Sequence, residues 1–151
     1  MSRVVKGIII AAVVLVVMIA MVVAVLVGAG ISGYRAAIRK GDEAAALQDM
    51  KTISVVEIQY FNDHDRSFGT FDQLIKEQLL NQRFSTPTVD GYVFTLTVTP
   101  RTKSQPASFA LNADPQNDST GKNHFYLDAG DSEIRVNPNR PARSTDPILG
   151  G

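Results

Sequence analysis

Residues 7–34 read GIIIAAVVLVVMIAMVVAVLVGAGISGY, and they contain no charged side chain. Two incompatible structures compete for this stretch. Its length fits a membrane span. Its last six residues before Tyr34, Gly28-Ala29-Gly30-Ile31-Ser32-Gly33, spell G-x-G-x-x-G, the pattern of a dinucleotide-binding turn. A hydrocarbon core about 30 Å thick takes about 20 apolar residues in a helix. Ile8–Val27 supplies them, and fourteen are Ile, Val or Leu. Together these favour insertion by about 6 kcal/mol.

The nucleotide reading needs Val22–Val27 as a strand, a helix over Tyr34–Met50 and an acid such as Glu57 about 20 positions on. Three features weigh against it. A buried strand has no need of the apolar residues that precede Val22. The remaining chain is too short for a full doubly wound domain. Beyond Asp90 the pattern is antiparallel strands, not alternating β and α. A cleaved secretory signal is a third option, given the basic Arg3 and Lys6, but the apolar run exceeds a usual h-region. The span is therefore expected.

The glycines have two readings. Ala20, Ala24 and Gly28 recur every four residues and share a helix face, which suits close approach of membrane helices. Gly28, Gly30 and Gly33 also weaken a helix by about 1 kcal/mol each, as at a helix end near the bilayer surface.

With 1–34 assigned to a basic segment and anchor, the rest of the 151 residues makes one small domain. Fifteen basic residues balance fifteen acidic ones, and without Arg3 and Lys6 the remainder is −2. No basic surplus points to nucleic acid. Cysteine is absent, which removes disulfides and thiolate metal sites. Arg3 and Lys6 face Arg35, Arg39 and Lys40 across the run, so the positive-inside rule leaves orientation near even.

Helix continues past the anchor. Tyr34–Phe61 has no proline, and Ala46, Met50, Ile53, Val56 and Tyr60 fall on one arc. Asp49 and Glu57 intrude on it. Gly41 is a candidate break; without one, residues 8–61 would make a rod of about 80 Å. A polar loop, 62–69, leads to a short helix capped by Thr70 or Asp72 and reaching about Gln82. Its buried stripe is Phe71, Leu74, Ile75 and Leu79. Pro87 and Asp90-Gly91 signal a turn. Tyr92, Phe94, Leu96 and Val98 then alternate with Val93, Thr95, Thr97 and Thr99 as a strand. Phe109 and Leu111, Phe125 and Leu127, and Ile134 and Val136 mark three more, the last two joined by a turn at 129–132. Short connections imply antiparallel pairing, with the long helix covering the apolar face. The expectation is α+β, with a soluble domain over 35–137 and a flexible, Pro- and Asn-rich tail over 138–151.

This order resembles the type IV pilin and type II secretion pseudopilin family. So do Gly41-Asp42-Glu43-Ala44-Ala45-Ala46-Leu47 with Thr52-Ile53 and Tyr60, then Phe68-Gly69-Thr70-Phe71 with Leu74 and Leu79-Leu80. Gly91-Tyr92-Val93-Phe94 resembles the first sheet strand of that family. His124-Phe125-Tyr126-Leu127-Asp128 with Ile134-Arg135 resembles the last strands of a bacterial pilin-like subgroup. The likeness covers about residues 31–149. It implies a non-enzymatic filament subunit in the inner membrane, with its soluble domain periplasmic or on an extracellular filament. Its partners would be its own copies or other pilin-like subunits, membrane lipid, and pilus or secretion machinery.

The N-terminus departs from the family's pattern. Leader cleavage after Gly7 would make Ile8 the first residue and Ala12 the fifth, where pilins keep Glu. In the family that carboxylate is thought to pair with a neighbour's amino terminus in lipid. Its absence puts processing and ordinary assembly in question. A tethered binding module that does not assemble is the alternative.

Few residues suggest chemistry. Asp63-His64-Asp65 has metal-ligand composition, but three consecutive loop residues rarely converge on one ion. Asp114, Asp118, Asp128, Asp131 and Glu133 are oxygen donors of the kind calcium takes, without EF-hand spacing; some pseudopilins bind calcium in a late loop. His64 and His124 lack an evident nucleophile, and Asn117-Asp118-Ser119 fits a glycosylation sequon. Glu57 is expected to pair with a basic residue. No catalytic residue, cofactor or metal is expected, calcium being the minor exception.

Overall fold

The computed structural model describes residues 3–151, with side chains from residue 16 onward except 26 and 29. The expected cleavage position after Gly7, and Ala12, lie outside the residues whose side chains are described. The chain divides between Ala37 and Ile38 into two units. The first helix, α1, is Arg3–Asp63.

In the N-terminal unit the backbone is helical from residue 3 onward, through Gly28, Gly30 and Gly33. Val22–Val27 is helix rather than strand, so the strand–turn–helix that a nucleotide fingerprint requires is absent. A helix satisfies its own backbone donors and acceptors, which an apolar sequence without polar helpers needs. Every described side chain from Val16 to Tyr34 is exposed, and none in the apolar window is buried. This is the one stretch among the described residues long and apolar enough to cross a membrane.

In the C-terminal unit, α1 supplies the core stripe. Ala46, Met50, Ile53, Val56 and Tyr60 are all buried. Gly41 does not break the helix, contrary to its composition. Its penalty of about 1 kcal/mol is small beside good helix formers on both sides and the tertiary contacts of the same turn. There the Glu43 carboxylate accepts from the backbone N–H of Lys122 and Asn123 and from Asn123 Nδ2.

Thr70 caps α2, Phe71–Lys76, in a reciprocal capping box with Gln73. The helix stops six residues short of the expected Gln82. Gln78 adopts φ +59°, and the N–H groups of Leu79 and Leu80 both turn back onto the Leu74 carbonyl. Leu74 is thereby buried, with Phe71, Ile75 and Leu79 packed around it. A 3-10 turn, Gln82–Ser85, follows.

Five strands form one antiparallel sheet in sequence order: β1 (Thr88–Val89), β2 (Tyr92–Thr99), β3 (Ser108–Pro115), β4 (His124–Asp128) and β5 (Arg135–Asn137). The unexpected β1 arises because Asp90 and Gly91 take φ +47° and +79° in a two-residue hairpin turn. Leu96 pairs with Leu111, and Leu111 with Leu127; Phe94 pairs with Ala113, and Ala113 with Phe125. One face therefore carries the apolar set, and it joins the α1 stripe in a single core. Ile134 is buried just before β5 rather than within it.

Residues 138–151 are not a free tail. Val136 N–H donates to Pro147 O at 3.0 Å, and Leu149 N–H to Ile134 O at 2.7 Å. Ala142 is buried, and the Asp146 carboxylate accepts from Arg140, Asn137 and the Arg143 N–H. Burial works to raise the Asp146 carboxyl, but these hydrogen bonds outweigh it and hold the pKa below the usual range.

Candidate functional site

The most conspicuous surface is the outside of the N-terminal part of α1. Ala20, Ala24 and Gly28 lie along it at four-residue spacing, all exposed. A methyl group built on Gly28, Gly30 or Gly33 would meet nothing within 4 Å. Among the described residues nothing packs against these glycines. Val16, Met18, Met21, Val22 and Val25 around them are more than half exposed. In water such a surface would be strongly unfavourable, at about 25 cal/mol per Å² of apolar area.

The polar residues on the α1 arc turn out to be fasteners. Glu57 is fully buried, and its partner is the Gly69 N–H, 2.9 Å from Oε2, rather than the basic residue expected. Oε1 has no hydrogen-bond partner among the described residues. Burial pushes the carboxyl up to about 7, against the Gly69 hydrogen bond, which lowers it. Asp49 is also buried and pairs with Arg83, which reaches Asp90 at 2.8 Å with its other nitrogen. Desolvation still raises the Asp49 carboxyl, with Arg83 opposing it.

His64 stacks on Tyr60 at 3.8 Å. Its Nε2 lies 2.8 Å from Glu77 and its Nδ1 3.1 Å from the Tyr60 carbonyl. It thus joins the end of α1 to the end of α2 instead of grouping with Asp63 and Asp65. His124 pairs with Asp114 across β3 and β4 at 2.6 Å.

The late acids disperse. Asp128 accepts from Tyr126 and the Gly130 N–H, and Asp131 binds Arg135 and the Glu133 N–H. Among the described residues no three acids or histidines gather as a metal site. The Asn117 side chain accepts from the Ser119 N–H in its own turn.

No family model, curated protein or solved structure matches this chain.

Sequence reasoning missed Gly69 as the partner of Glu57. A backbone amide twelve residues away leaves no compositional trace. It also missed Arg83, which is one of several arginines until the 3-10 turn places it beside Asp49. The small-residue face, by contrast, is visible in the spacing alone.

Proposed function

We propose that this chain is a non-enzymatic, single-pass membrane subunit that assembles, through its N-terminal apolar helix, into a type IV pilus-like or type II secretion filament. The observation that carries this reading is the uncovered apolar part of α1, with small residues at 20, 24 and 28. Lipid solvates such a surface, and close packing against a second helix removes part of it at little entropic cost. The α+β domain, with one helix laid on an antiparallel meander, supports the pilin-like resemblance of residues 31–149. The role is packing, not catalysis. Partners are copies of the chain or similar subunits, with the soluble domain outside the inner membrane.

A second reading is favoured by one observation. The span lacks the acid that pilins keep, with Ala12 in its place. A membrane-tethered binding module that does not assemble needs no such acid.

Mass spectrometry of the protein isolated from membranes separates the two. A chain beginning at Ile8 supports leader processing and assembly. A chain beginning at Met1 or Ser2 supports the unprocessed, tethered module.

A further inference from the structure

We infer that the cleft between the end of α1 and the β2–β3 loop binds a phosphate monoester. The cleft has a volume of about 390 Å³ and lies wholly within the C-terminal unit. Arg66, Arg101 and Lys103 line it, and no carboxylate does. Among the described residues none of these three cations is ion-paired, in a domain whose other arginine contacts include Arg83, Arg135 and Arg140 bound to aspartates. Three unneutralised cations around one concavity raise the local potential and select an anion. Two of them are arginines, whose planar forks match a phosphate's oxygens.

The cleft is shaped as well as charged. Thr102 and Gln105 close the loop by two hydrogen bonds, Thr102 N–H to Gln105 O at 2.8 Å and Gln105 N–H to Thr102 Oγ1 at 3.0 Å. Arg101, Lys103 and Ser104, whose hydroxyl lies 3.4 Å from Thr102 Oγ1, line the cleft from this turn. Arg66, at φ +59° directly after Asp65 at +48°, follows the end of α1, where its N–H donates to Phe61 O at 3.1 Å and fixes the point at which the chain leaves the helix beside the cleft. Phe61 and Pro106 also line the cleft and give it apolar surface. A bare ion would leave that surface unused, whereas an ester carries a body to lie on it. The cations hold the phosphate, and the apolar lining takes the alcohol part.

The test uses the full chain in micelles of an uncharged maltoside detergent, whose headgroup offers no competing phosphate. Amide shifts are followed during titration with inorganic phosphate, glucose 6-phosphate and glycerol 3-phosphate. Saturable shifts are expected at 101–107 and at 66, with the esters binding more tightly than inorganic phosphate. Arg101→Gln and Lys103→Gln should each weaken binding about tenfold. Lys51→Gln, an exposed cation on α1, should leave it unchanged. Preference for glucose 6-phosphate assigns a soluble sugar ester as the source, and preference for glycerol 3-phosphate a lipid headgroup. Absence of saturable binding by all three overturns the inference. So does equal weakening by Lys51→Gln, or binding of duplex DNA without binding of either ester. These outcomes are independent of whether the chain assembles.

Discussion

The backbone N–H of Gly69 points at Oε2 of Glu57 from 2.9 Å, and the carboxylate it serves is completely shielded from solvent. This one bond ties the α1 core stripe to the segment that opens α2. A charged carboxylate with a single amide donor is under-solvated, which is why its pKa rises to about 7. The folded domain therefore holds the proton more tightly than the unfolded chain, whose ordinary value is 4.5. The stability that Glu57 contributes is fully present below that value and is lost as pH rises through the interval up to 7. The full loss is on the order of 3 kcal/mol. Denaturant titrations that follow the C-terminal unit in the full chain should show this component of the slope. Glu57→Gln should flatten it, raising stability at pH 8 by about 1–2 kcal/mol while changing little at pH 4.

Arg83 is the counterpart of a second buried carboxylate. Removing it as Arg83→Ala leaves Asp49 buried and without its cation. Because Arg83 itself is partly exposed, the expected loss is about 2 kcal/mol, below the range for a wholly buried pair. Asp49→Asn combined with Arg83→Ala should recover at least half of it. A double-mutant cycle in guanidinium checks both numbers.

Gly121 is where the loop before β4 passes closest to the core. A Cβ there would clash with the Tyr92 hydroxyl oxygen and lie 2.7 Å from Cζ, on a ring that is itself fully buried. The Tyr92 hydroxyl also donates to Asn123 O at 3.0 Å, so it cannot swing away without losing that bond. Gly121→Ala should destabilise the domain by about 1–3 kcal/mol. Gly28→Ala, with open space around it, should leave the melting temperature of the C-terminal unit unchanged.

The C-terminal segment is held by Asp146. Asp146→Ala removes the acceptor shared by Arg140, Asn137 and the Arg143 N–H. Amide exchange at 143–149 should accelerate at least about tenfold, while β2 and β3 keep their protection.

The parts of this fold legible in the sequence are those written as periodicity. The helical stripe from Ala46 to Tyr60 and the alternation from Tyr92 to Val98 both declare which face is buried. Thr70 and Gln73 declare a helix start. The parts that were not legible depend on contacts between distant residues. The early end of α2 rests on a left-handed Gln78, a residue with no turn signal of its own. The C-terminal segment has the composition of a loose tail, yet it is anchored by an aspartate whose three partners, Asn137, Arg140 and Arg143, are spread from β5 into the segment itself. At the apolar helix the spacing of Ala20, Ala24 and Gly28 was readable, whereas the continuation of the helix through Gly33, against the local glycine penalty, was not.

Photo-crosslinking in native membranes tests assembly most directly. A photoreactive side chain is placed in turn at Ala20, Ala24 and Val22, the last lying on the opposite face of the helix. Assembly through the small-residue face predicts adducts with a second apolar helix, of this chain or of a similar subunit, from positions 20 and 24 and few from 22. A chain that runs as a monomer from all three positions, with lipid as its sole adduct, would contradict it.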